Sequence, residues 1–381
     1  MTKIKTLLIL GTRPEVIKLA PVYFALAQSE EFNPLIINTG QHRDLARDFL
    51  TRFNLTAAYD LEVMIENQSL TYLTSEIISR LEKVMIKEQP DLVLVQGDTT
   101  SALGGALSAF YHQVSLGHVE AGLRTGKKYN PFPEEMNRLL ISKLADWHFA
   151  PTSGARNNLL QEGIEREKVL VTGNTIVDAL LQVLAKNLPF HNEILSREVS
   201  KGKEKIVTVT AHRRENWEKG IEEVAQALRI LGEKFKEVKI FFPLHPNPLV
   251  REKILPYLSS CTRVFLLEPL DYFDFVKLLS QSTLLITDSG GVQEESSALG
   301  VPVLITRDFT ERPEVMKAGL GYLVGCNREK IVGLATRFLK EKRTQKSQPI
   351  FGDGRASWRI VQALRYFFGL DSREIEEFIS T

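Results

Sequence analysis

Residues 284–299 read Leu-Leu-Ile-Thr-Asp-Ser-Gly-Gly-Val-Gln-Glu-Glu-Ser-Ser-Ala-Leu, and this stretch indicates both a fold and a ligand. Its apolar run predicts a strand that ends at Thr287, followed by a short loop and a helix. The loop Ser289-Gly290-Gly291 carries no bulky side chain, so backbone N–H groups and the positive end of the helix can approach a diphosphate closely. Glu294 and Glu295 follow on the first turns of the helix, where a carboxylate can accept two hydrogen bonds from a ribose diol. The alternative is an ordinary strand-to-helix turn with an acidic first turn.

Short apolar runs alternate with helix-period segments on both sides of this stretch, which is the pattern of parallel sheets covered by helices. The first series predicts strands at residues 6–10, 35–38, 92–96, 114–118, 147–150 and 169–172, with helices that include 71–88 and 174–186. The second series predicts strands at residues 206–211, 238–242, 264–267, 284–287 and 303–306. At 381 residues the chain exceeds the size of one hydrophobic core. We therefore predict an α/β fold with two doubly wound domains and a cleft between them.

The predicted domain boundaries follow from a change in patterning. Residues 187–205 are polar, charged and weakly patterned, and we interpret them as a linker region. The first domain is then expected at residues 1–186 and the second at 187–354. The remaining residues, 355–381, have helical patterns at 355–368 and 372–379, and we expect these helices to pack back on the first domain.

Composition excludes several classes of function. Lys and Arg number 48 against 47 for Asp and Glu, a net charge of +1, so a basic field for nucleic acid is absent from the sequence. Cys261 and Cys326 match no metal or disulfide pattern, which is typical of a reducing compartment. The apolar run at the N-terminus is too short for a signal peptide or a membrane span. We expect a soluble, cytoplasmic protein without a nucleic-acid or membrane partner.

Polar residues follow the first predicted strand, at the edge of the sheet where ligands bind in such folds. The sequence there is Gly11-Thr12-Arg13-Pro14-Glu15, with Lys18 one turn further. Arg13 and Lys18 can both point from the helix start toward an anion. A solvated basic pair on a surface helix is the alternative.

Three acids are delivered to the same edge of the first sheet by separate segments. Asp98 follows the strand at 92–96, Glu120 follows the strand at 114–118, and Glu134 begins a helix after a proline-rich loop. Carboxylates crowded in one site push their pKa values apart, so that acid and base forms coexist near neutral pH. The alternatives are that Asp98 is a helix N-cap and that Glu134 complements a helix dipole.

The second domain adds basic groups at its strand ends. His212 follows the strand at 206–211 and is a candidate for proton transfer or for neutralising a leaving phosphate, with a structural loop histidine as the alternative. For His245 we favour a structural or regulatory role. Arg312 follows the last strand and is available to a nucleotide, with a surface ion pair as the alternative.

Taken together, eight segments resemble the non-hydrolysing UDP-N-acetylglucosamine 2-epimerases, from near residue 5 to about residue 365. They are Gly11 to Glu15, Gly97 to Thr100, His118 to Arg124, Pro133 to Glu135, Gly173 to Thr175, His212 to Glu215, Asp288 to Glu295 and Thr310 to Glu314. The resemblance implies the glycosyltransferase-B architecture, with two Rossmann-like domains and the substrate in the cleft. It also implies a homodimer and no cofactor or metal.

The resemblance further implies a reaction and a set of roles. UDP is eliminated across C1 and C2 to give a 2-acetamidoglucal, and UDP adds back after reprotonation on the opposite face, which interconverts UDP-N-acetylglucosamine and UDP-N-acetylmannosamine for cell-surface polysaccharide synthesis. Asp98, Glu120 and Glu134 would be the acid and base set, with His212 near the diphosphate or sharing proton transfer. The implied substrate contacts are Arg13, Lys18, Asp98, Glu120, His212, Phe275 at the uracil, Ser289, Gly290 and Gly291 at the phosphates, Glu295 at the ribose, and Arg312.

Some positions depart from the family pattern. Many relatives have His where this chain has Gln96, a difference that we expect not to touch the proposed acids. Gln41, Arg43 and His245 are candidates for an allosteric site, but Asp44 and Asn67 differ from some members, which argues against activation by UDP-N-acetylglucosamine. The open alternatives are the same chemistry on a modified UDP sugar, such as a 2,3-diacetamido uronic acid, a UDP-sugar glycosyltransferase, and a non-catalytic sensor.

Overall fold

The computed structural model describes residues 3–41, 43–199, 204–211, 220–310, 312–341, 347–372 and 375–379. The chain divides into two compact units. The first unit comprises Met1–Ala179 and Phe351–Ser380, and the second comprises Leu180–Ile350.

The first unit contains a seven-stranded parallel sheet in the order β3-β2-β1-β4-β5-β6-β7. The strands are β1 (Ile4–Leu10), β2 (Phe32–Asn38), β3 (Tyr59–Asp60), β4 (Leu92–Gln96), β5 (Ser115–Val119), β6 (Trp147–Ala150) and β7 (Val169–Val171). Every residue of β4 is buried, as expected for a strand covered by helices on both faces. The order of the strands reverses between β1 and β4, so the loops that follow these two strands lie side by side at the carboxyl edge.

The helices of the first unit cover both faces of this sheet. They are α1 (Arg13–Ala27), α2 (Arg43–Arg52), α3 (Leu70–Glu88), α4 (Thr100–Tyr111), α5 (Glu134–Leu144), α6 (Ser153–Gln161) and α7 (Thr175–Ala185), which runs into the second unit. Pro14 occupies the first turn of α1, where its missing N–H costs nothing and its fixed φ favours the helix.

The second unit contains a six-stranded parallel sheet in the order β10-β9-β8-β11-β12-β13. Its strands are β8 (Lys205–Thr210), β9 (Val238–Pro243), β10 (Val264–Leu267), β11 (Leu284–Thr287), β12 (Val303–Ile305) and β13 (Gly321–Leu323). Its helices are α8 (Glu193–Val199), α9 (Gly220–Lys234), α10 (Pro248–Leu258), α11 (Tyr272–Ser280), α12 (Gly290–Ala298), α13 (Pro313–Lys317) and α14 (Arg328–Lys340). The order reverses between β8 and β11, so this unit is also doubly wound.

The chain returns to the first unit in helix α15 (Ala356–Phe367). The N-terminus of this helix is capped by the buried Asp178, which accepts hydrogen bonds from the backbone N–H groups of Ala356 and Ser357 at 3.1 and 2.8 Å. Burial raises the pKa of the Asp178 carboxyl, and these hydrogen bonds oppose that shift.

The predicted helix at residues 372–379 is wrong for the residues that are described, because residues 375–379 are not helical. The backbone N–H of Phe378 donates to the carbonyl of Val171 at 2.8 Å, and Phe378 itself is buried. Glu377 pairs with Arg156 at 2.9 Å. Contacts with the first unit therefore override the local helical pattern of this segment.

The remaining predictions of secondary structure are confirmed within one to three residues, apart from the short strands β3 and β13, which the sequence did not indicate. The expected linker region contains α8. In the part of the chain that is described, no helix combines the length and the apolar character that crossing a membrane requires.

Candidate functional site

Glu120 lies directly after β5, and its carboxylate is the centre of a buried polar cluster. Lys18 Nζ donates to Oε1 at 2.5 Å and Asn174 Nδ2 donates to the same oxygen at 3.0 Å. Gln96 Nε2 donates to Oε2. Glu120 and Lys18 are 8% and 7% exposed, so the interpretation of Lys18 as a solvated surface cation is wrong. A negative charge on Glu120 is thus matched by an ammonium and two amides.

The backbone of Glu120 is strained, with φ of 64°. A residue other than glycine adopts this left-handed conformation only when its surroundings impose it, and such residues cluster at functional sites. Nearby Gly122 has φ of 89°, and a Cβ there would lie 2.2 Å from the carbonyl oxygen of Ala155. The turn after β5 therefore directs the Glu120 side chain in one fixed way.

The sequence prediction was wrong about Gln96, which contacts one of the proposed acids. Gln96 is the last residue of β4 and lies in register with Val119, the residue before Glu120. Strand register was thus the signal that would have placed its amide beside Glu120. Asn174 lies in the loop after β7, in a segment that the family resemblance included without a role for this side chain.

The Asp98 carboxylate is held by Arg138. Arg138 Nε donates to Asp98 Oδ2 at 2.8 Å, and Arg138 Nη2 lies 2.7 Å from the same oxygen. The alternative interpretation of Asp98 as the cap of α4 is wrong, because the N-cap is Thr99, whose Oγ1 accepts from Ala102 N at 3.0 Å. The Asp98 side chain keeps 25% of its surface exposed. It is therefore oriented by a cation and still accessible.

Glu134 and Glu135 are neighbours with different surroundings. Glu135 is 2% exposed and accepts from the backbone N–H groups of Thr125 and Gly126 at 3.0 Å each, and from Arg138 at 2.8 Å. Glu134 is partly buried, and its carboxylate makes no hydrogen bond or ion pair with another described residue. Glu135 thus fixes the loop and Arg138, whereas the Glu134 carboxylate has no such partner among the described residues.

Arg13 is partly buried, and its guanidinium lies 4.5 Å from the centre of the Phe49 ring. Glu15, two residues further along α1, is fully buried and receives hydrogen bonds from two different loops. Burial raises the pKa of the Glu15 carboxyl to about 7, although the hydrogen bonds from Thr99, Thr12 and Gly11 oppose the shift. No sequence pattern predicts this role for Glu15.

In the second unit, β11 is followed by α12 as predicted, but the glycine loop is shorter than predicted, because Gly290 and Gly291 are the first two residues of the helix. The helix begins at Gly290, and the side chain of its N-cap residue Ser289 makes no capping hydrogen bond. A Cβ on Gly290 would lie 3.2 Å from the guanidinium of Arg312, whereas a Cβ on Gly291 would meet no atom within 4 Å. Gly290 therefore makes room for a cation beside the helix N-terminus, and this combination attracts anions.

Arg312 forms an ion pair, as the alternative interpretation stated, but the pair is buried rather than at the surface. Arg312 Nε donates to Glu294 Oε1 at 2.8 Å, and Glu294 is 1% exposed. Gln293, which the sequence analysis missed, donates to the carbonyl of Ser289 at 3.0 Å and accepts from Thr310 Oγ1 at 2.8 Å. These contacts connect the glycine loop to the loop that carries Arg312. Glu295 is also buried, at 4% exposure.

Other predicted site residues are more dispersed. Phe275 is buried on α11. His245 Nδ1 accepts from the backbone N–H of Asn247 at 3.2 Å, a local loop contact of the structural kind. Gln41 Oε1 accepts from Ser101 N at 3.0 Å and from Ser101 Oγ at 2.7 Å, so it supports the start of α4. Arg43 begins α2. His212 lies outside the described residues.

One group of residues in the second unit has metal-ligand chemistry. The candidate ligand atoms of His191, Asp271 and Asp274 lie within 4.8 Å of one another. Both carboxylates already accept hydrogen bonds from backbone N–H groups. The Asp271 carboxylate accepts from Asp274 N at 2.8 Å, and the Asp274 carboxylate accepts from His191 N at 2.9 Å. These contacts indicate that Asp271 caps α11 and that Asp274 holds the loop before α8.

Each unit thus carries its candidate residues at the carboxyl edge of a doubly wound sheet, which is the edge where such folds bind ligands. The fold is also similar to that of spinosyn forosaminyltransferase SpnP, with a TM-score of 0.59 at 14% identity over 98% of this chain and 96% of that one. This likeness places the two units in the glycosyltransferase-B class of folds.

Comparison with known sequences and structures identifies the family. Residues 24–365 match the family model described as UDP-N-acetylglucosamine 2-epimerase. The chain is 42% identical to the UDP-N-acetylglucosamine 2-epimerase of Bacillus subtilis over 99% of both chains. It is 41% identical to the crystal structure of UDP-GlcNAc 2-epimerase from Neisseria meningitidis bound to UDP-GlcNAc, with a TM-score of 0.85 over 96% of this chain and 100% of that one. The chain belongs to the UDP-N-acetylglucosamine 2-epimerase family, which confirms the resemblance in the sequence motifs.

Proposed function

We propose that this protein is a non-hydrolysing epimerase that interconverts UDP-N-acetylglucosamine and UDP-N-acetylmannosamine. Family membership supports the substrate class. The observation that carries the proposal of an active site here is the buried Glu120 carboxylate, which contacts Lys18, Asn174 and Gln96 on a strained turn at the carboxyl edge of the first sheet.

The proposed reaction needs no change in oxidation state. A base removes the proton from C2 while the C1–O bond to UDP breaks, and the electron pair of the C–H bond forms the C1=C2 double bond of a 2-acetamidoglucal. An acid then returns a proton to C2 on the opposite face, and UDP adds back to C1. The reaction requires one proton-transfer group on each face of C2 and a site that retains UDP.

The different surroundings of the three acids support a division of roles among them. Glu134 has no hydrogen-bonding partner among the described residues and is suited to take up and return a proton. Asp98 is oriented by Arg138 but remains partly exposed, so it is suited to the other face of C2. Glu120 receives three N–H donors, which favours its charged form, and we assign it to fixing Lys18 and the sugar.

The second unit is the part that we assign to UDP. The N-terminus of α12 and Arg312 would bind the diphosphate through Ser289, Gly290 and Gly291, and would stabilise the charge that develops on UDP as it leaves. Glu295 would accept hydrogen bonds from the ribose, and Phe275 would contact the uracil. Arg13 would contact the substrate, and His212 would act near the diphosphate.

Exposed apolar side chains support a homodimer. Helices α3 and α4 pack against each other and end on the same side of the first unit, since both lead into parallel strands. Ile86, Phe110 and Tyr111 near these ends are 64%, 59% and 62% exposed. Apolar surface of this kind marks association sites. We further propose a cytoplasmic location and a role in supplying N-acetylmannosamine units for cell-surface polysaccharides.

Incubation of the protein with UDP-N-acetylglucosamine in D2O tests the proposed function. We expect one deuterium at C2 of both sugar nucleotides and an equilibrium mixture of the two, detected by NMR and mass spectrometry. Exchange without any acceptor sugar argues against a glycosyltransferase, and release of free UDP with N-acetylmannosamine would indicate hydrolysis instead. If the protein turns over a UDP-2,3-diacetamido uronic acid but not UDP-N-acetylglucosamine, the modified sugar is its substrate. Absence of exchange with all UDP sugars would exclude the epimerase.

A further inference from the structure

Glu15 contacts both of the loops that meet where the strand order of the first sheet reverses. Its Oε2 accepts from Gly11 N at 2.9 Å, from Thr12 N at 2.8 Å and from Thr12 Oγ1 at 2.8 Å, all in the loop after β1. Its Oε1 accepts from Thr99 Oγ1 at 2.6 Å, in the loop after β4. The loop after β1 precedes α1, the helix that carries Lys18. The loop after β4 carries Asp98.

We propose that Glu15 is a positioning residue for the reaction: in its charged form it couples the loop before Arg13 and Lys18 to the loop that carries Asp98. This inference rests on the proposed epimerase function. Glu15 touches no reacting group itself and acts through Thr99 and the start of α1.

The contact with Thr99 distinguishes Glu15 from an ordinary helix cap. A glutamate at the third position of a helix commonly accepts the N–H of the N-cap residue, here Thr12. This carboxylate also reaches Thr99, the N-cap of α4, 84 residues away. The hydroxyl of Thr99 has one proton, so donating it to Glu15 leaves an oxygen lone pair for Ala102 N at 3.0 Å. One carboxylate thus fixes the first turns of two helices.

Among the described residues, no cation is a direct partner of the Glu15 carboxylate. All four of its donors are uncharged, and the residue is 0% exposed. Charged groups on the elements packed against α1 pair elsewhere: Lys18 with Glu120, Lys5 with Glu88, Asp98 with Arg138, Arg47 with Asp60, Arg359 with Asp353 and Arg365 with Glu31. Burial consequently raises the pKa of Glu15 to about 7, within the working range of an enzyme.

Protonation changes what Glu15 can do. A protonated carboxyl must donate from one oxygen, and that oxygen no longer accepts its present donors equally well. A proton on Oε1 reverses the bond to Thr99 and weakens the cap of α4, while a proton on Oε2 opposes the three donors of the first loop. Either form loosens the connection between the two loops.

The test is the pH dependence of kcat and KM between pH 6 and 9 for the wild-type protein and a small set of variants. Glu15→Gln keeps the size of the side chain and cannot ionise. We expect kcat at pH 8 to fall about 10- to 100-fold while KM changes less than about threefold, since small misplacements of catalytic groups act mainly on turnover. The fall of kcat below pH 7 in the wild type should be absent in this variant.

Variants of Thr99 serve if Glu15→Gln does not fold. Thr99→Ser keeps the hydroxyl and should retain the kcat of the wild type, while Thr99→Val should approach the kcat of Glu15→Gln. Ser69→Ala is the matched control, because Ser69 caps α3 through Tyr72 N at 3.1 Å, far from these loops in the chain. It should lose stability without losing kcat.

A wild-type kcat and pH profile in Glu15→Gln, or equal kcat in both Thr99 variants, would overturn the positioning role while leaving the epimerase function intact. Failure of the wild-type protein to exchange deuterium at any pH would overturn the proposed function and this inference together. The two failures are therefore distinguishable.

Discussion

Lys18 donates to Glu120 across 2.5 Å, and both side chains are more than nine-tenths buried. Removing one member of such a pair leaves an uncompensated charge in the protein interior, which costs far more than the pair itself contributes. Asn174 and Gln96 also donate to Glu120, so this carboxylate retains partners if the lysine is lost.

Each single substitution, Glu120→Gln or Lys18→Met, is accordingly expected to lower the free energy of unfolding by about 3 kcal/mol. The double variant should be more stable than the sum of the two single losses predicts, because neither charge is then left alone. Urea unfolding of the four proteins measures this coupling. Lys168→Met, at a largely exposed ion pair, is the control and should change stability by less than about 0.5 kcal/mol. Strict additivity of the two losses would contradict the pairing.

Glu134→Gln separates catalysis from stability. Since the Glu134 carboxylate has no partner among the described residues, its loss should leave the melting temperature within about 1 °C of the wild type. Loss of a general acid or base should nevertheless slow C2 exchange by roughly 100- to 10,000-fold. Glu165→Gln, an exposed carboxylate on another loop, is the control for loss of charge. Normal exchange in Glu134→Gln would remove this residue from the proton-transfer set.

Sequence patterns located the sheets well but did not distinguish between neighbouring polar residues. The apolar runs of β4, β6, β10 and β11 gave their exact bounds, because buried parallel strands are apolar on both faces. Glu134 and Glu135 both begin α5, and only the three-dimensional path of the loop at Thr125 decides which of them is buried.

The missed site residues share one cause. Gln96, Asn174 and Arg138 act on acids that are distant in the chain, and their contacts depend on strand register and loop path. The C-terminal segment shows a different error. Its local pattern predicts a helix, but contacts with β7 hold the segment in a non-helical conformation. Local propensity is a weak prior when a segment is held by tertiary contacts.

Gly290→Ala tests the anion site of the second unit. The added Cβ would lie 3.2 Å from the Arg312 guanidinium, so the cation must shift while Glu294 holds it from the other side. We expect the Kd for UDP to rise about tenfold, by calorimetry, with little change in melting temperature. Gly333→Ala on α14, where a Cβ meets no atom within 4 Å, is the matched control. Unchanged UDP affinity in Gly290→Ala would place the diphosphate elsewhere.

Phe378→Ala tests the extended C-terminal segment. Phe378 is 5% exposed, and truncating a buried phenylalanine typically costs about 3 kcal/mol or more. The adjacent Ile379 is 82% exposed, so Ile379→Ala should cost less than about 0.5 kcal/mol. Thermal and urea unfolding compare the two variants directly. Equal effects at the two positions would mean that the segment is not held against β7 in solution.

Two buried groups should make stability depend on pH in opposite directions. Burial lowers the pKa of His118 from 6.5 to about 3. Its contribution to the free energy of unfolding is therefore complete above pH 6.5 and is lost as the pH falls. Burial raises the pKa of Glu15 from 4.5 to about 7, so its contribution is complete below pH 4.5 and is lost as the pH rises through 7. Between pH 7.5 and 5 each change is on the order of 2 kcal/mol, and in the wild type they largely cancel.

Single variants should reveal the two contributions. His118→Gln preserves a side-chain donor near the carbonyl of Gly97, to which His118 Nε2 is bonded at 2.8 Å, and should become more stable as the pH falls from 7.5 to 5. Glu15→Gln should become less stable over the same range, because the Glu15 contribution that opposes that of His118 is then removed. Urea unfolding at the two pH values measures both slopes, with the exposed His191→Gln as a control that should follow the wild type. Parallel slopes in His118→Gln and Glu15→Gln would contradict the assignment of either group, since their linkage to folding has opposite sign.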